Sequence, residues 1–235
     1  LRKNLYENRM GKLKNYLDQS LKEGSGGLSC DLKYSYLTQT SFAELVMLAQ
    51  LAKKHNKILV IQLRDQKDNL ISSLEEIESL LDTLGKDKCP KIEITHFYAY
   101  KDNIDEIWQG VALIYKLRQE GLDINFDLSP FTLISNPIYL YLPIWFRYGN
   151  FEMMLKNLKN KGIVRRLLDD FKQKKYDFSK IMVSANPNNI PFINGKSIDY
   201  LAKERGINPE EMFLEIFKMT KGKAIILSDE LSWPE

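Results

Sequence analysis

The feature that most limits what this chain can fold into is the return of short apolar runs at a regular interval. Lys57–Arg64 (KILVIQLR), Lys91–Phe97 (KIEITHF) and Leu122–Leu128 (LDINFDL) are compact and mostly apolar or β-branched, as strands buried on both faces are. Between them, Asn69–Leu84 and Ile104–Glu120 carry apolar residues at helical spacing, with Leu70, Leu74, Ile77 and Leu81 on one face of the first. An earlier run at Gly26–Leu32 and a helix opened by Ser41 extend the pattern backwards, Glu44 completing a capping box. Strand and helix alternate with a period of roughly 30 residues, the mark of βα units on a parallel sheet. The repeat is structural, since the units share no sequence.

A helix over Leu5–Leu21 precedes these units, with Leu5, Leu13, Tyr16, Leu17 and Leu21 on roughly one face and a glycine cluster as its stop. Tyr34–Thr40 reads as a loop. After Pro130 the rhythm breaks. Asn136–Phe146 is rich in Pro, Tyr and Trp, and helices are expected over about Phe151–Asn160, Gly162–Lys174, Ser197–Arg205 and Pro209–Lys218. Lys180–Ser184 and Lys223–Leu227 are weaker strands, so the whole gives too few strands for a closed eight-stranded barrel. The organisation expected is βα units over 1–130, then a helical insertion and further elements of the same domain over 131–235.

Bulk properties exclude several classes. Of 235 residues, 34 are basic and 31 acidic, a net charge of +3 with the lysines dispersed among acids, which is no nucleic-acid footprint. No apolar run is long enough to span a bilayer. Two cysteines make no disulfide framework and fit a reducing, cytoplasmic setting. The opening at Leu1–Asn4 and the ending at Ser232–Glu235 suggest a native chain that continues in both directions.

In parallel sheets, ligands collect where strands end at their carboxyl side. Alternation in KILVIQLR puts Ile58, Val60, Gln62 and Arg64 on one face, apolar first and polar last. In KIEITHF it groups Ile92, Ile94 and His96, which leaves Glu93 and Thr95 awkwardly on the other face. In LDINFDL it groups Asn125 and Asp127. Three strands therefore finish in Gln62 and Arg64, in His96, and in Asp127. Plainer readings exist for each: a hydrogen-bonded strand-end histidine, a turn aspartate before Ser129-Pro130, and a local Arg64–Asp65 ion pair. His55 reads as an exposed helix-end residue and Cys30 as a small buried filler. Tyr139, Tyr141, Trp145, Phe146 and Tyr148 read as core or lid packing.

These strand ends, taken in order, resemble a known family. Gly27-Leu28-Ser29-Cys30-Asp31-Leu32-Lys33-Tyr34, with Thr40 and Phe42-Ala43-Glu44-Leu45, is similar to the G-x-S-(S/T)-G-L-x-Y segment and following T-x-E-L of D-aminoacylases. Gln62-Leu63-Arg64-Asp65 stands where that family has H-x-R-(D/N)-E, and the helix with Glu76 stands at its next acidic helix. Ile94-Thr95-His96-Phe97 stands at I-S-H-x-K, and Phe126-Asp127-Leu128-Ser129-Pro130-Phe131 resembles D-x-Y-P-Y. Leu142-Pro143-Ile144-Trp145 resembles L-P-x-W. Gly195-Lys196-Ser197-Ile198 through Ala202, then Gly206–Pro209, resembles a G-K-x-(I/L) run ending in G-x-x-P. The match is collinear over nearly the whole chain.

The resemblance implies an α/β fold, a partial (β/α)8 TIM-type barrel of the metal-dependent amidohydrolase kind. In that family a zinc-activated water attacks the amide of an N-acyl-D-amino acid or related small molecule. Carried over residue by residue, only His96 matches a metal ligand. Gln62 replaces the other motif histidine, and an amide is a poor zinc ligand beside imidazole. Tyr98 replaces the motif lysine, and Cys30 does not match the family's ligand cysteine. The amino-terminal histidines and the catalytic aspartate would fall outside this chain. Arg64, Asp127 and Gln62 are then candidates for substrate or supporting contacts, Arg64 because guanidinium suits a carboxylate. The resemblance implies hydrolysis for the family and an incomplete site here. The alternative is a divergent, inactive barrel that binds a ligand or partner.

Overall fold

The computed structural model describes residues 2–33, 40–147 and 150–232, with side chains from residue 8 onward. The chain divides into two compact units, one of residues 1–130 with 232–235, the other of 131–231.

The first unit begins with α1 (Arg2–Lys22) and continues as β1 (Gly27–Asp31), α2 (Phe42–Lys54), β2 (Ile58–Gln62), α3 (Leu70–Leu84), β3 (Lys91–Thr95), α4 (Ile104–Gln119) and β4 (Ile124–Phe126). The strands form one parallel sheet in the order β1-β2-β3-β4. Right-handed crossovers between strands in unbroken sequential order put every connecting helix on the same face. The core agrees: Leu28, Cys30, Leu59, Ile61, Leu63, Ile92, Ile94 and Ile124 pack with the buried faces of α2, α3 and α4. Alternation then leaves Ser29, Asp31, Val60, Gln62, Glu93, Thr95 and Asn125 on the opposite face. β1 and β2 approach closely at Gly27, where a Cβ would meet Ile58 at 2.6 Å.

Several expectations change here. Ile92 and Ile94 face the helices, and the polar Glu93 and Thr95 lie with Val60 and Gln62, because the helix-covered face takes the apolar residues of this strand. In α1, Met10, Leu17 and Leu21 meet the core, whereas Leu13 and Tyr16 are exposed. The Ser41 capping box is present, its hydroxyl accepting from the Glu44 N–H and the Glu44 carboxylate from the Ser41 N–H. His55 caps α2 but is not exposed: its Nε2 lies 2.8 Å from Asp18, and only 15% of its side chain is accessible. The loop expected over Tyr34–Thr40 lies outside the described residues, Thr40 excepted.

The second unit carries β5 (Leu133–Pro137), α5 (Phe151–Asn157), α6 (Lys161–Lys174), β6 (Ile181–Ala185), α7 (Ile198–Arg205), α8 (Pro209–Met219) and β7 (Ile225–Asp229). Its strands pair antiparallel in the order β5-β7-β6, and so do not extend the parallel sheet. The sequence does not announce β5, because it ends in Asn136-Pro137. An edge position tolerates that proline. Phe171, Phe213, Phe217, Tyr139, Tyr141 and Phe146 are buried in its core, which settles the aromatic stretch as packing, with Tyr148 outside the described residues.

Candidate active site at the carboxyl ends of the parallel strands

Strand register builds a polar row across the face opposite the helices. Asp31 of β1 is paired with Gln62 of β2, and Gln62 with Thr95 of β3. Thr95 donates its hydroxyl to the Asp127 carboxylate at 2.7 Å, just past the end of β4. The other Asp127 oxygen accepts the His96 backbone N–H at 2.7 Å, while Phe97 N–H donates to the Asp127 carbonyl. Asp127 thus ties β4 to β3 where the ladder ends.

His96 takes its exposed position by a different route from the one alternation suggested. It follows the last residue of β3 in a left-handed conformation, φ 57°, which costs a residue with a Cβ free energy and is kept only where the surroundings enforce it. The bond from its N–H to Asp127 is part of that enforcement. The Tyr98 hydroxyl lies 3.2 Å from Nδ1, and the two rings stack with centroids 5.5 Å apart. Burial, helped by the Asp127 charge, pushes the Tyr98 hydroxyl above its ordinary pKa. The same two causes raise the Glu93 carboxyl.

Arg64 is not paired with Asp65. Its Nε and Nη2 grip both oxygens of Glu76 on α3 at 2.8–3.1 Å, and Nη2 also donates to the Thr40 carbonyl. Asp65 instead organises the turn into α3, accepting from the Lys67 and Asp68 N–H groups and the Asn69 amide. Burial works against its ionisation, but those bonds outweigh it and leave its pKa lowered.

Gln62 is 3% exposed, and its Nε2 has no hydrogen-bond partner. The nearby Gln66 is as deeply buried, its Nε2 donating to the Thr95 carbonyl while its Oε1 is unsatisfied. The Asn103 amide donates to the Lys67 carbonyl at 2.8 Å, also with an unsatisfied oxygen. Sequence reasoning missed Thr95, although the polar alternation Glu93–Thr95 inside an apolar strand was its signal. Nothing in the sequence marks Gln66 or Asn103.

A zinc site does not fit these side chains. Among the described residues no three His, Cys, Asp or Glu groups converge as a metal needs. Cys30 belongs to the helix-side core and Gln62 offers an amide. No helix among the described residues is long and apolar enough to cross a membrane.

No family model and no curated protein matches the sequence. Solved structures do. The N-acyl-D-glutamate deacylase from Bordetella bronchiseptica was solved with zinc and a phosphonate that mimics the tetrahedral intermediate. It is similar with a TM-score of 0.69 at 14% identity, over 95% of this chain and 38% of that one. Two D-aminoacylase structures give TM-scores of 0.63 and 0.64 at 16% and 15% identity, over 96% of this chain and 39% of theirs. The first concerns a binuclear metal centre, and the second defines a novel subset of amidohydrolases. The chain spans about two fifths of the length of these structures. Likeness at such identity is a statement about fold: this chain is similar in fold to part of the N-acyl-D-glutamate deacylase and D-aminoacylase structures.

Proposed function

We propose that this chain is the central part of an amidohydrolase barrel acting on the amide bond of N-acyl-D-amino acids or related compounds. The observation that carries the reading is the coincidence of two independent lines, motifs in collinear order and a shared fold over 95% of the chain. The one-sided winding of β1-β2-β3-β4 supplies four consecutive strands of the eight that such a barrel needs. The polar row at their carboxyl ends lies where barrel active sites lie.

Within that reading, His96 is the one residue at a metal-ligand position, and Gln62 and Asp127 face the substrate. Arg64, held by Glu76, shapes the mouth from behind β2 rather than reaching a carboxylate itself. A small-molecule amide is the partner, in a cytoplasmic protein. Zinc is bound in the N-acyl-D-glutamate deacylase it resembles, but the described side chains of this chain do not assemble a site for it.

A second reading is favoured by Gln62. A buried amide donor without an acceptor, where the motif has a histidine, suits a divergent barrel that binds a ligand without hydrolysing it. Release of free amino acid from N-acetyl-D-amino acids by the full-length gene product, with and without added zinc, separates the two. Zinc-dependent release supports the enzyme. Binding without release by a full-length sequence that lacks an H-x-H pair and a late aspartate would establish the second reading.

A further inference from the structure

We propose that the outer flank of α4 is a self-association surface, on which a second copy of this chain packs its own α4 antiparallel about a two-fold axis. The flank belongs to the helix-covered side of the parallel sheet, opposite the polar row, so it does not depend on what the mouth does to a ligand.

α4 carries two apolar stripes. Ile107, Gly110, Ile114 and Leu117 are its buried face. Ile104, Trp108, Val111 and Tyr115 form a second stripe, at the alternating four- and three-residue spacing of helices that pair through a seam. It lies roughly 130° round the helix from Gly110. A Cβ on Gly110 would meet Leu74 of α3, so α3 occupies the other flank. α1, α2, α3 and α4 pack one after another, and α4 ends the row. Ile104 and Val111 are half-buried at the edge of the core, whereas Trp108 and Tyr115 are 51% and 62% exposed, with the exposed Ala112 between them. Exposed aromatic anchors of this kind are what interfaces favour.

The charges on α4 decide the occupant. Asp105 and Glu106 stand in its first turn and Lys116 and Arg118 in its last, while the exposed Asp102 just ahead of it lies 3.9 Å from Lys67. Parallel pairing of two such helices would set each end against its like, and antiparallel pairing sets acid against base. In that register Ile104 faces Tyr115 of the second copy, and Trp108 lies across its Val111 and its small Ala112. Asp102 then reaches Arg118 of the second copy, which donates to Asn125 through one nitrogen and keeps further donors. Each contact occurs twice, as a two-fold axis requires. One helix pair buries less than a permanent interface, so the dimer is weak, with a Kd on the order of 100 μM.

Sedimentation velocity of the 235-residue chain between about 5 μM and about 1 mM tests the pairing. The expected result is a passage from monomer to dimer across that range. Trp108→Glu should hold the chain monomeric throughout with an unchanged thermal melt, because the indole is half-exposed. Asp102→Arg should weaken the dimer about tenfold by setting arginine against arginine. Adding Arg118→Asp should restore it, since both pairs are then reversed together. That rescue keeps the test decisive should Trp108→Glu not fold. A wild-type chain that stays monomeric to the highest concentration overturns the proposal and leaves the flank to another segment or protein. A dimer that survives Trp108→Glu, or that Asp102→Arg does not weaken, overturns it too, because the copies then meet elsewhere.

Discussion

At the scale of single residues, two carboxylates are already committed, Glu76 beside the strand ends and Asp18 between α1 and the end of α2. Glu76 holds Arg64 through both oxygens, and both side chains are less than a third exposed. Removing either leaves the other charge half-buried without its partner, so Arg64→Ala should lower stability by about 1–3 kcal/mol in urea unfolding. Arg64→Lys should recover only part of that, since an ammonium lacks the planar fork. If Arg64→Ala unfolds at the wild-type midpoint, the pair is ornamental. Asp18 is the second case. Lys22, then Lys54 and His55, hold its carboxyl well below the usual carboxylate range. A depressed folded-state pKa gives stabilisation that is present above the unfolded value of about 3.9 and lost as pH falls through the folded one. The contact of α1 with α2 should accordingly weaken on acidification below about pH 4, seen as shifts of the Leu17 and Leu21 methyl resonances. Asp18→Asn should flatten that response, and an unchanged acid profile in this variant would discard the idea.

At the scale of elements, the parallel sheet is positioned by how closely its helices approach. Gly110 is buried in α4, and a Cβ there would lie 2.9 Å from Leu74 of α3 and 3.0 Å from the Phe97 ring. An alanine could be absorbed by a small shift of the leucine tip, and its better helix propensity works in its favour. A valine cannot be absorbed so easily. Gly110→Val should cost about 1–3 kcal/mol through overpacking, read from thermal unfolding. It should also disturb the His96–Asp127 junction, because Phe97 is the residue between the αL turn and the core. Wild-type stability in this variant would mean that α4 sits farther from α3 than described.

For the whole molecule, the prediction concerns metal. The residues present supply one imidazole at the mouth, and a lone histidine does not hold zinc tightly against water. Elemental analysis of the purified chain should find well below one zinc per chain. Tight one-to-one zinc that survives dialysis would show that Gln62 has been misassigned as a non-ligand. The chain also keeps two separate hydrophobic cores, one under the parallel sheet and one built on Phe171, Phe213 and Phe217. Substitutions such as Gly110→Val and those in the second core should therefore add independently.

The alternation of strand and helix and the Ser41 cap were determined by sequence alone, because each depends on local spacing that a window of residues contains. So was the order of motifs that pointed to the D-aminoacylases. Tertiary structure decided the rest. Which face of β3 turns to the helices depends on what covers it, so Glu93 and Thr95, awkward in sequence, became part of the polar row. His96 reached its position through a left-handed turn enforced from a neighbouring strand, and Arg64 found its partner twelve residues away on α3. The antiparallel sheet of the second unit needed pairing between β5 and β7 across nearly the full length of that unit. Partners so distant leave no periodic trace in the chain, and only packing brings them together.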